Sequence, residues 1–286
     1  MSEPFTRTTM LFGKQNMEKL FHSKVAVFGI GGVGGHCTEA LCRSGIGSID
    51  LFDHDLVCIT NINRQIIAAR STIGRYKVDV MRDRILDINP DAKVGAFRIF
   101  YDVETAQNID LSVYDYIIDA IDTMSAKLEL VCRANACGVP IISSMGAANK
   151  LDASAFEVAD IFETSVCPMA RIMRRELRKR NIQSLKVVYS KEPRASIHAD
   201  VDTAPDSDTN SAQADAVPDT DTDSTQNVLA KITTESLLQN ACDNSSESAH
   251  SDDTTIRHIQ VPASNAFVPP VAGLILAGEV VKDLIK

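Results

Sequence analysis

Apolar runs and helical repeats of apolar residues alternate along the first half of the chain. The run over 25–28 ends in glycines and is typical of a buried strand. Further strands are predicted over 48–53, 93–100, 114–122 and 139–144. Apolar residues at helical spacing lie between them, over 33–43, 74–90 and 124–137. Strands that alternate with helices of about 10 to 15 residues predict an α/β fold, with a mostly parallel sheet and helices on both faces.

The pattern is looser after Gly146. Strands are predicted over 154–162 and 185–190, with a basic helix over 169–180 between them. The longest apolar stretch, 266–281, contains two prolines and Glu279. A bilayer-spanning helix needs about 20 apolar residues, so this stretch is interpreted as a buried C-terminal helix.

An acidic segment separates these last two elements. Between 195 and 258 there are thirteen Asp and Glu residues against Lys231 and Arg257, a net charge of −11, whereas the whole chain carries −9. The segment has too few apolar side chains to offset the entropy of ordering it. We predict one domain over 1–194 and 259–286, interrupted by a disordered surface insertion over 195–258.

The segment over 171–194 carries the opposite charge. It contains nine Lys and Arg residues against two Glu, a net charge of +7. Such a local charge is large enough to attract a polyanion such as a nucleic acid, and the alternative is a solvated helix face. The candidate contacts are Arg171, Arg174, Arg175, Arg178, Lys179 and Arg180.

The seven cysteines are scattered, and no two of them have C-x-x-C spacing. This odd, unpatterned set indicates reduced thiols rather than a disulfide framework. The first ten residues are too polar for a secretory signal. We therefore expect a cytoplasmic protein, with peripheral association to a membrane left open.

A glycine-rich loop follows the first predicted strand, at Gly29, Gly31, Gly32 and Gly34. Small residues there let backbone N–H groups and a helix N-terminus approach a phosphate closely. Asp53 ends the second strand, at about the distance that suits a ribose hydroxyl pair. Nicotinamide dinucleotides and ATP both contain an adenosine ribose, so these features alone do not distinguish the two.

The stretch that follows Asp53 favours ATP. A forked, positive Arg64 flanked by Asn61, Asn63 and Gln65 suits a triphosphate whose charge must be met in a transition state. Local alternatives are helix capping by the asparagines and a surface position for the arginine.

Lys77 adds a second cation on the following helix, with a surface charge as the alternative. Asp119 and Asp122 end the fourth strand, at the sheet edge where open α/β folds bind ligands. Carboxylates there suit Mg²⁺, although Asp119 could instead be a structural hydrogen-bond acceptor.

Together these motifs resemble the ubiquitin-activating-enzyme-like adenylyltransferases, which include the molybdopterin and thiamine adenylating enzymes. The resemblance implies a Rossmann-like fold with the ATP site at the carboxyl edge of the strands. It implies that a substrate carboxylate attacks the α-phosphate of ATP and forms an acyl-adenylate. It also implies a homodimer in which Arg7 reaches the neighbouring ATP site. Asp53 would hold the ribose, Arg64 and Lys77 would contact phosphates, and Asp122 would bind Mg²⁺.

The site residues implied in this way fall into two groups. Catalytic roles go to Arg7, Arg64, Lys77 and Asp122, with Asp122 also the metal ligand. Nucleotide binding goes to Gly29, Gly31, Gly32, Gly34, Asp53, Asp55, Asn61, Asn63, Gln65 and Asp119.

The second half resembles one branch, the tRNA threonylcarbamoyladenosine dehydratases, over 143–182, 185–193 and 265–285. In that branch ATP activates the threonyl carboxylate of a modified tRNA adenosine. The carbamoyl group then attacks it and closes a ring, with net loss of water. The resemblance also allows a bound K⁺ or Na⁺ and a cysteine desulfurase or sulfur acceptor as a partner.

Three other functions remain open. One is an adenylyltransferase that activates the C-terminal glycine of a small carrier protein. Such enzymes commonly hold zinc through two C-x-x-C pairs, which this chain lacks, so no zinc is expected. The others are a nucleotide-binding scaffold or sulfur-transfer partner without catalysis, and an NAD dehydrogenase, for which no hydride-site His or Tyr–Lys pair is evident.

Overall fold

Seven strands form one sheet in the part of the chain that the computed structural model describes, residues 4–196 and 262–286. The spatial order is β3-β2-β1-β4-β5-β7-β6. All neighbours pair in parallel except β6, which is antiparallel to β7. The strands are β1 (Lys24–Phe28), β2 (Ser48–Phe52), β3 (Lys93–Phe97), β4 (Tyr116–Asp119), β5 (Ile141–Ser144), β6 (Phe156–Asp160) and β7 (Lys186–Ser190). The predicted mostly parallel α/β fold is confirmed.

Helices cover both faces of this sheet. They are α1 (Thr6–Phe12), α2 (Lys14–His22), α3 (Gly34–Arg43), α4 (Lys77–Ile88), α5 (Val103–Ala106), α6 (Met124–Cys137), α7 (Pro168–Lys179) and α8 (Val268–Leu284). Successive side chains of a strand point to opposite faces, so Val25 and Val27 pack with α2, α3, α4 and α8, whereas Ala26 and Phe28 pack with α5 and α6. Helix α7 packs on the same side as α6.

The C-terminal helix α8 completes the first face. Pro269 and Pro270 lie in its first turn, where a missing backbone N–H costs little. Its main neighbour is α3. A side chain at Gly273 would overlap the Val33 carbonyl oxygen, so glycine permits this close approach. The predicted buried helix is confirmed, and no helix in the described ranges is long and apolar enough to span a bilayer.

Several boundaries differ from the predictions. β3 stops at Phe97 rather than at residue 100, because its only described strand partner, β2, ends at Phe52. The sixth strand is shortened by single turns of 3₁₀ helix on both sides, Ala153–Ala155 and Ile161–Glu163. Helices α1, α2 and α5 were not predicted. Apart from Ala195 and Ser196, the predicted insertion up to residue 258 lies outside the described residues.

Candidate nucleotide-binding site

The glycine loop joins the end of β1 to the start of α3. Gly29 has a φ of +88°, and a Cβ there would lie 2.6 Å from the carbonyl oxygen of Ala120. A Cβ at Gly34 would overlap the Gly29 carbonyl oxygen. Glycine is therefore required at both positions, since each meets backbone atoms that cannot move aside. The tight turn leaves the N-terminus of α3 facing the carboxyl edge of the sheet, a ready site for an anion.

Asp53 ties this loop to the end of β2. Its carboxylate accepts hydrogen bonds from the backbone N–H of Ile30 at 2.6 Å and of Asp55 at 2.9 Å. Burial raises the pKa of Asp53, and the charge of Lys77 together with the two N–H bonds opposes that rise. The predicted ribose-binding carboxylate thus lies directly beside the glycine loop.

Lys77, the first residue of α4, points its ammonium into the same region. The side chain is only 8% exposed, and Nζ lies 2.6 Å from Oδ2 of Asp55. The other oxygen of Asp55 lies 3.1 Å from Nε2 of His54. The structure therefore holds the predicted phosphate-contacting lysine in an ion pair with the second aspartate of the D-x-D motif.

The two asparagines of the N-x-N-R-Q motif form structural hydrogen bonds. Oδ1 of Asn61 accepts from the backbone N–H of Cys58 at 3.0 Å and caps a turn of 3₁₀ helix, Ile59–Asn61. Nδ2 of Asn63 donates to the Ser264 carbonyl at 3.1 Å, which fixes the motif against the segment before α8. The capping alternative therefore holds for Asn61.

Arg64 and Gln65 lie over the glycine loop. The Arg64 side chain passes Gly32 so closely that a Cβ there would lie 3.2 Å from its Cγ. Its Nη1 donates to the Thr60 carbonyl at 3.0 Å and to Oδ1 of Asn63 at 2.9 Å. Gln65 is 6% exposed, and its Oε1 is buried without a hydrogen-bond partner in the described structure. The unpaired atom is an acceptor, so a ligand that presents a hydroxyl or N–H group here would pair with it.

The two acids that follow β4 have different environments. Asp119 is completely buried, and its carboxylate is occupied by Lys127, Ser143 and the backbone N–H of Ile121. Asp119 therefore lies beneath the candidate site and acts as a structural hydrogen-bond acceptor, the alternative given in the sequence analysis. Asp122 is exposed, and Thr123 Oγ1 lies 3.3 Å from its Oδ1.

Lys127 is the site-adjacent residue that the sequence predictions missed. It is 0% exposed and lies on α6 directly below the Asp119–Asp122 turn. The available signal was its position on the apolar side of the helix, at helical spacing from Leu130, Val131 and Ala134.

Arg7 is exposed on α1 and, among the described contacts, forms no hydrogen bond or ion pair. The same helix has no buried residues, and its Met10 and Leu11 are 82% and 78% exposed. The structure thus does not place Arg7 within the site of its own chain.

The predicted polyanion contacts lie on α7. Arg171, Arg174, Arg175 and Arg178 line an open depression of about 620 Å³. Arg174 donates to the Thr164 carbonyl at 2.9 Å, and the Arg178 guanidinium lies 5.1 Å from the Phe162 ring. Within the described ranges, neither the Arg171 nor the Arg178 side chain makes a hydrogen bond or ion pair.

Glu176 holds the other cations of α7. It pairs with Arg175, Lys179 and Arg180 at 2.9 to 3.1 Å. Hydrogen bonds, that of Arg180 first, lower the pKa of Glu176 to about 2. The carboxylate is therefore charged at neutral pH and offsets part of the positive surface.

The fold and site define a Rossmann-like nucleotide-binding protein with a glycine loop, an aspartate bonded to that loop and an arginine over it. The ThiF family model matches residues 5–286, and the chain belongs to the ThiF family.

Two curated relatives share one description. The chain is 39% identical over 288 residues to the tRNA threonylcarbamoyladenosine dehydratase of Bacillus subtilis (strain 168), a match that covers all of this chain and 96% of the relative. It is 38% identical over 176 residues to the tRNA threonylcarbamoyladenosine dehydratase of Escherichia coli (strain K12), covering 61% of this chain and 65% of that relative.

A solved structure extends the likeness to the fold. The crystal structure of E. coli tRNA N6-threonylcarbamoyladenosine dehydratase, TcdA, in complex with AMP matches with a TM-score of 0.73 and 26% identity. The match covers 99% of this chain and 94% of that one.

Proposed function

We propose that this chain is an ATP-dependent tRNA threonylcarbamoyladenosine dehydratase. The observation that carries the proposal is the near-complete match to the B. subtilis dehydratase. The geometry supports it, because the glycine loop, Asp53 and Arg64 converge at the carboxyl edge of the sheet. ATP and a tRNA carrying threonylcarbamoyladenosine are the substrates.

The reaction is an activation followed by a ring closure. The threonyl carboxylate attacks the α-phosphate of ATP, pyrophosphate leaves, and an acyl-adenylate forms. The carbamoyl group then attacks the activated carbonyl, AMP leaves with the former carboxylate oxygen, and the product is lighter by one water. An internal nucleophile removes any need for a catalytic cysteine.

The protein contributes position and charge. Asp53 accepts hydrogen bonds from the ribose hydroxyls, while Arg64 and Lys77 neutralise phosphate charge that develops as pyrophosphate leaves. For Lys77 this requires that its ammonium be shared between Asp55 and the nucleotide, since it starts in that ion pair. Gln65 offers a buried carbonyl oxygen, Oε1, which lacks a partner and would accept a hydrogen bond from a hydroxyl or N–H group of the nucleotide.

Asp122 is the residue that would hold Mg²⁺. Its carboxylate is exposed at the carboxyl edge, and carboxylate oxygen is the ligand type that Mg²⁺ prefers. Mg²⁺ would supply charge neutralisation between phosphate oxygens. Asp119 would support the site from below rather than bind the ion, because its carboxylate is buried and already paired.

The tRNA would contact the basic face of α7. Phosphate contacts dominate the affinity of such complexes, and the arginine-lined depression presents a suitable surface. Arg171 is ready for a phosphate, whereas Arg175, Lys179 and Arg180 would have to exchange Glu176 for one.

A homodimer completes the proposal. Arg7 together with the exposed Met10 and Leu11 makes α1 suitable for contact with a second copy, where the arginine would enter the neighbouring ATP site. The monovalent cation, a cysteine desulfurase or sulfur-acceptor partner and a cytoplasmic location stay predictions from the resemblance and composition.

The test uses purified protein, Mg-ATP and tRNA that carries threonylcarbamoyladenosine. Gentle digestion and mass spectrometry of the nucleosides should show loss of one water, with AMP released only when this tRNA is present. Arg64→Ala and Asp122→Ala should abolish turnover with the fold intact, while Arg70→Ala, an exposed arginine of the same loop region, should not. No mass change, but pyrophosphate exchange with a small carrier protein, would assign the alternative adenylyltransferase function.

A further inference from the structure

A buried lysine lies below the candidate nucleotide site. Lys127 is 0% exposed, and its ammonium donates three hydrogen bonds, to Oδ2 of Asp119 at 2.7 Å, to Oγ of Ser143 at 3.1 Å and to the Ser144 carbonyl at 3.0 Å. All three ammonium protons are therefore satisfied. A charge is seldom buried so deeply unless it is paired in this way.

The same network continues to the surface of the site. Ser143 Oγ donates to Oδ2 of Asp119 at 2.5 Å, while Oδ1 of Asp119 accepts the backbone N–H of Ile121 at 3.1 Å. The second bond closes the turn that carries Asp122. Within that turn, the Ala120 carbonyl lies against the glycine loop.

Stability alone gives a weak reason for this arrangement. Well-packed apolar residues of similar volume often replace a buried ion pair without loss of stability. Apart from its three polar partners, Lys127 is flanked on α6 by the buried Leu128, Leu130 and Val131. An apolar replacement could pack there but could not orient a carboxylate toward the N–H of Ile121.

We infer that Lys127 is a positioning residue of the nucleotide site: its ammonium orients Asp119, and Asp119 fixes the turn that presents Asp122 to magnesium-bound phosphates. This inference rests on the proposed role of Asp122. Lys127 itself touches neither substrate nor metal, so its removal should alter the dependence on Mg²⁺ rather than the binding of the nucleotide as such.

The test compares ATP affinity with and without Mg²⁺ by isothermal titration calorimetry. The double variant Lys127→Met/Asp119→Asn removes both charges, so no buried charge is left unpaired. We expect its affinity for ATP with Mg²⁺ to fall about 10-fold, in the range typical of residues that orient metal ligands, and its affinity without Mg²⁺ to change by less than about 3-fold. Ser143→Ala, which keeps the ion pair, should give a smaller change in the same direction.

The control is Lys186→Met/Asp283→Asn, which removes a partly exposed ion pair. This pair joins β7 to α8 at 2.9 Å, at the amino end of the strand, away from the candidate site. This double variant should be less stable than the wild type but keep the wild-type ratio of ATP affinities with and without Mg²⁺. The inference would be overturned if the ratio of ATP affinities with and without Mg²⁺ were unchanged in both Ser143→Ala and a folded Lys127→Met/Asp119→Asn protein. It would also be overturned if the double variant did not fold and Ser143→Ala kept the wild-type ratio.

Failure of the proposed function gives a different result. The wild-type protein could fail to dehydrate tRNA and still bind ATP more tightly with Mg²⁺ than without it. If the double variant lost that difference, the inference would be upheld and the proposed function contradicted. Wild-type protein that binds ATP equally with and without Mg²⁺ would overturn the inference together with the magnesium role of Asp122.

Discussion

Gly34 is the residue at which the nucleotide loop tolerates least change. An alanine Cβ would overlap the Gly29 carbonyl oxygen and lie 3.2 Å from the Cβ of Ala120. Both neighbours are fixed by the sheet, so the loop itself would have to shift. We expect Gly34→Ala to destabilise the fold by about 1–3 kcal/mol and to weaken ATP binding more than about 10-fold. Chemical denaturation and calorimetric titration would measure the two effects.

Gly278 gives the matched control for this substitution. It lies within α8, and a Cβ there would meet nothing within 4 Å. Gly278→Ala should therefore stabilise the protein by up to about 1 kcal/mol, because alanine favours helix more than glycine does. Equal behaviour of the two variants would show that the loop does not impose the constraint seen in the structure.

His36 should make the free energy of unfolding depend on pH. Burial lowers its pKa from 6.5, and the charge of Arg84 adds to the shift, while the hydrogen bond to the Arg64 carbonyl and the charge of Glu39 oppose it. As pH falls below 6.5, the unfolded chain binds a proton that the folded chain resists. The free energy of unfolding should therefore decrease from about pH 7 to pH 5.

His36→Gln should reduce this pH dependence, because glutamine does not titrate there. The control is His22→Gln, at the exposed end of α2. Denaturation midpoints between pH 5 and 8 would report the difference. Parallel pH curves for wild type and His36→Gln would show that His36 contributes nothing.

How well single residues could be predicted depended on the range of their contacts. Gly29, Gly34 and Asp53 follow from local rules, since Gly29 and Asp53 come directly after recognisable strands and Gly34 belongs to the glycine repeat that follows the first of them. Asp119 does not, because its partners Lys127 and Ser143 are 8 and 24 residues away and meet it only when α6 and β5 pack beside β4. The sequence therefore indicated an acid at the right edge but not that it is buried.

The arginines of helix α7 are predicted to bind tRNA phosphates. Reversal of Arg171, Arg175 and Arg178 to glutamate should weaken tRNA binding strongly and lower the salt slope by about 3, if each arginine meets one phosphate. Filter binding at several salt concentrations would measure both quantities.

The control reverses Arg43, Arg82 and Arg84 on α3 and α4, which cover the opposite face of the sheet from α7, so the net charge changes equally in both sets. These changes should leave the slope nearly unchanged. Equal losses of tRNA affinity in both sets would mean that only the net charge of the protein matters. No loss in either set would show that the basic side of α7 is a solvated helix face.

The elements themselves were largely predictable, for a physical reason. Buried parallel strands are near-continuous apolar runs, as residues 25–28 of β1 and 116–118 of β4 show. The extent of β3 was wrong because a strand ends where its partner ends, which is information about β2. Helix α1 lacked a signal because no residue of it is buried, so no apolar repeat was required.

At the scale of the molecule, distant segments complete one site. The Asn63 side chain contacts the Ser264 carbonyl across 201 residues of sequence. Asn149 binds both Ala195 and Ala263, which flank the segment outside the described residues. No local pattern predicts such contacts, so the sequence motifs indicated the chemistry of the site but not the C-terminal part that supports it.

In the proposed dimer, Arg7 of each subunit serves the ATP site of the other subunit. If the arginine serves the neighbouring site, Arg7→Ala and Asp122→Ala homodimers should both be inactive. A heterodimer of the two, purified through two different tags after co-expression, combines Asp122 of one subunit with Arg7 of the other in one of its two sites. Its ATP-dependent turnover should recover to about half that of the wild-type dimer.

An inactive heterodimer would show that Arg7 acts on its own chain, and an active Arg7→Ala homodimer would remove it from the catalytic residues. Failure of the two chains to co-purify would contradict the dimer itself. We expect the heterodimer to recover activity, because Met10 and Leu11 are exposed and α1 buries no residue in its own chain. Contact with a second copy would remove this apolar surface from water.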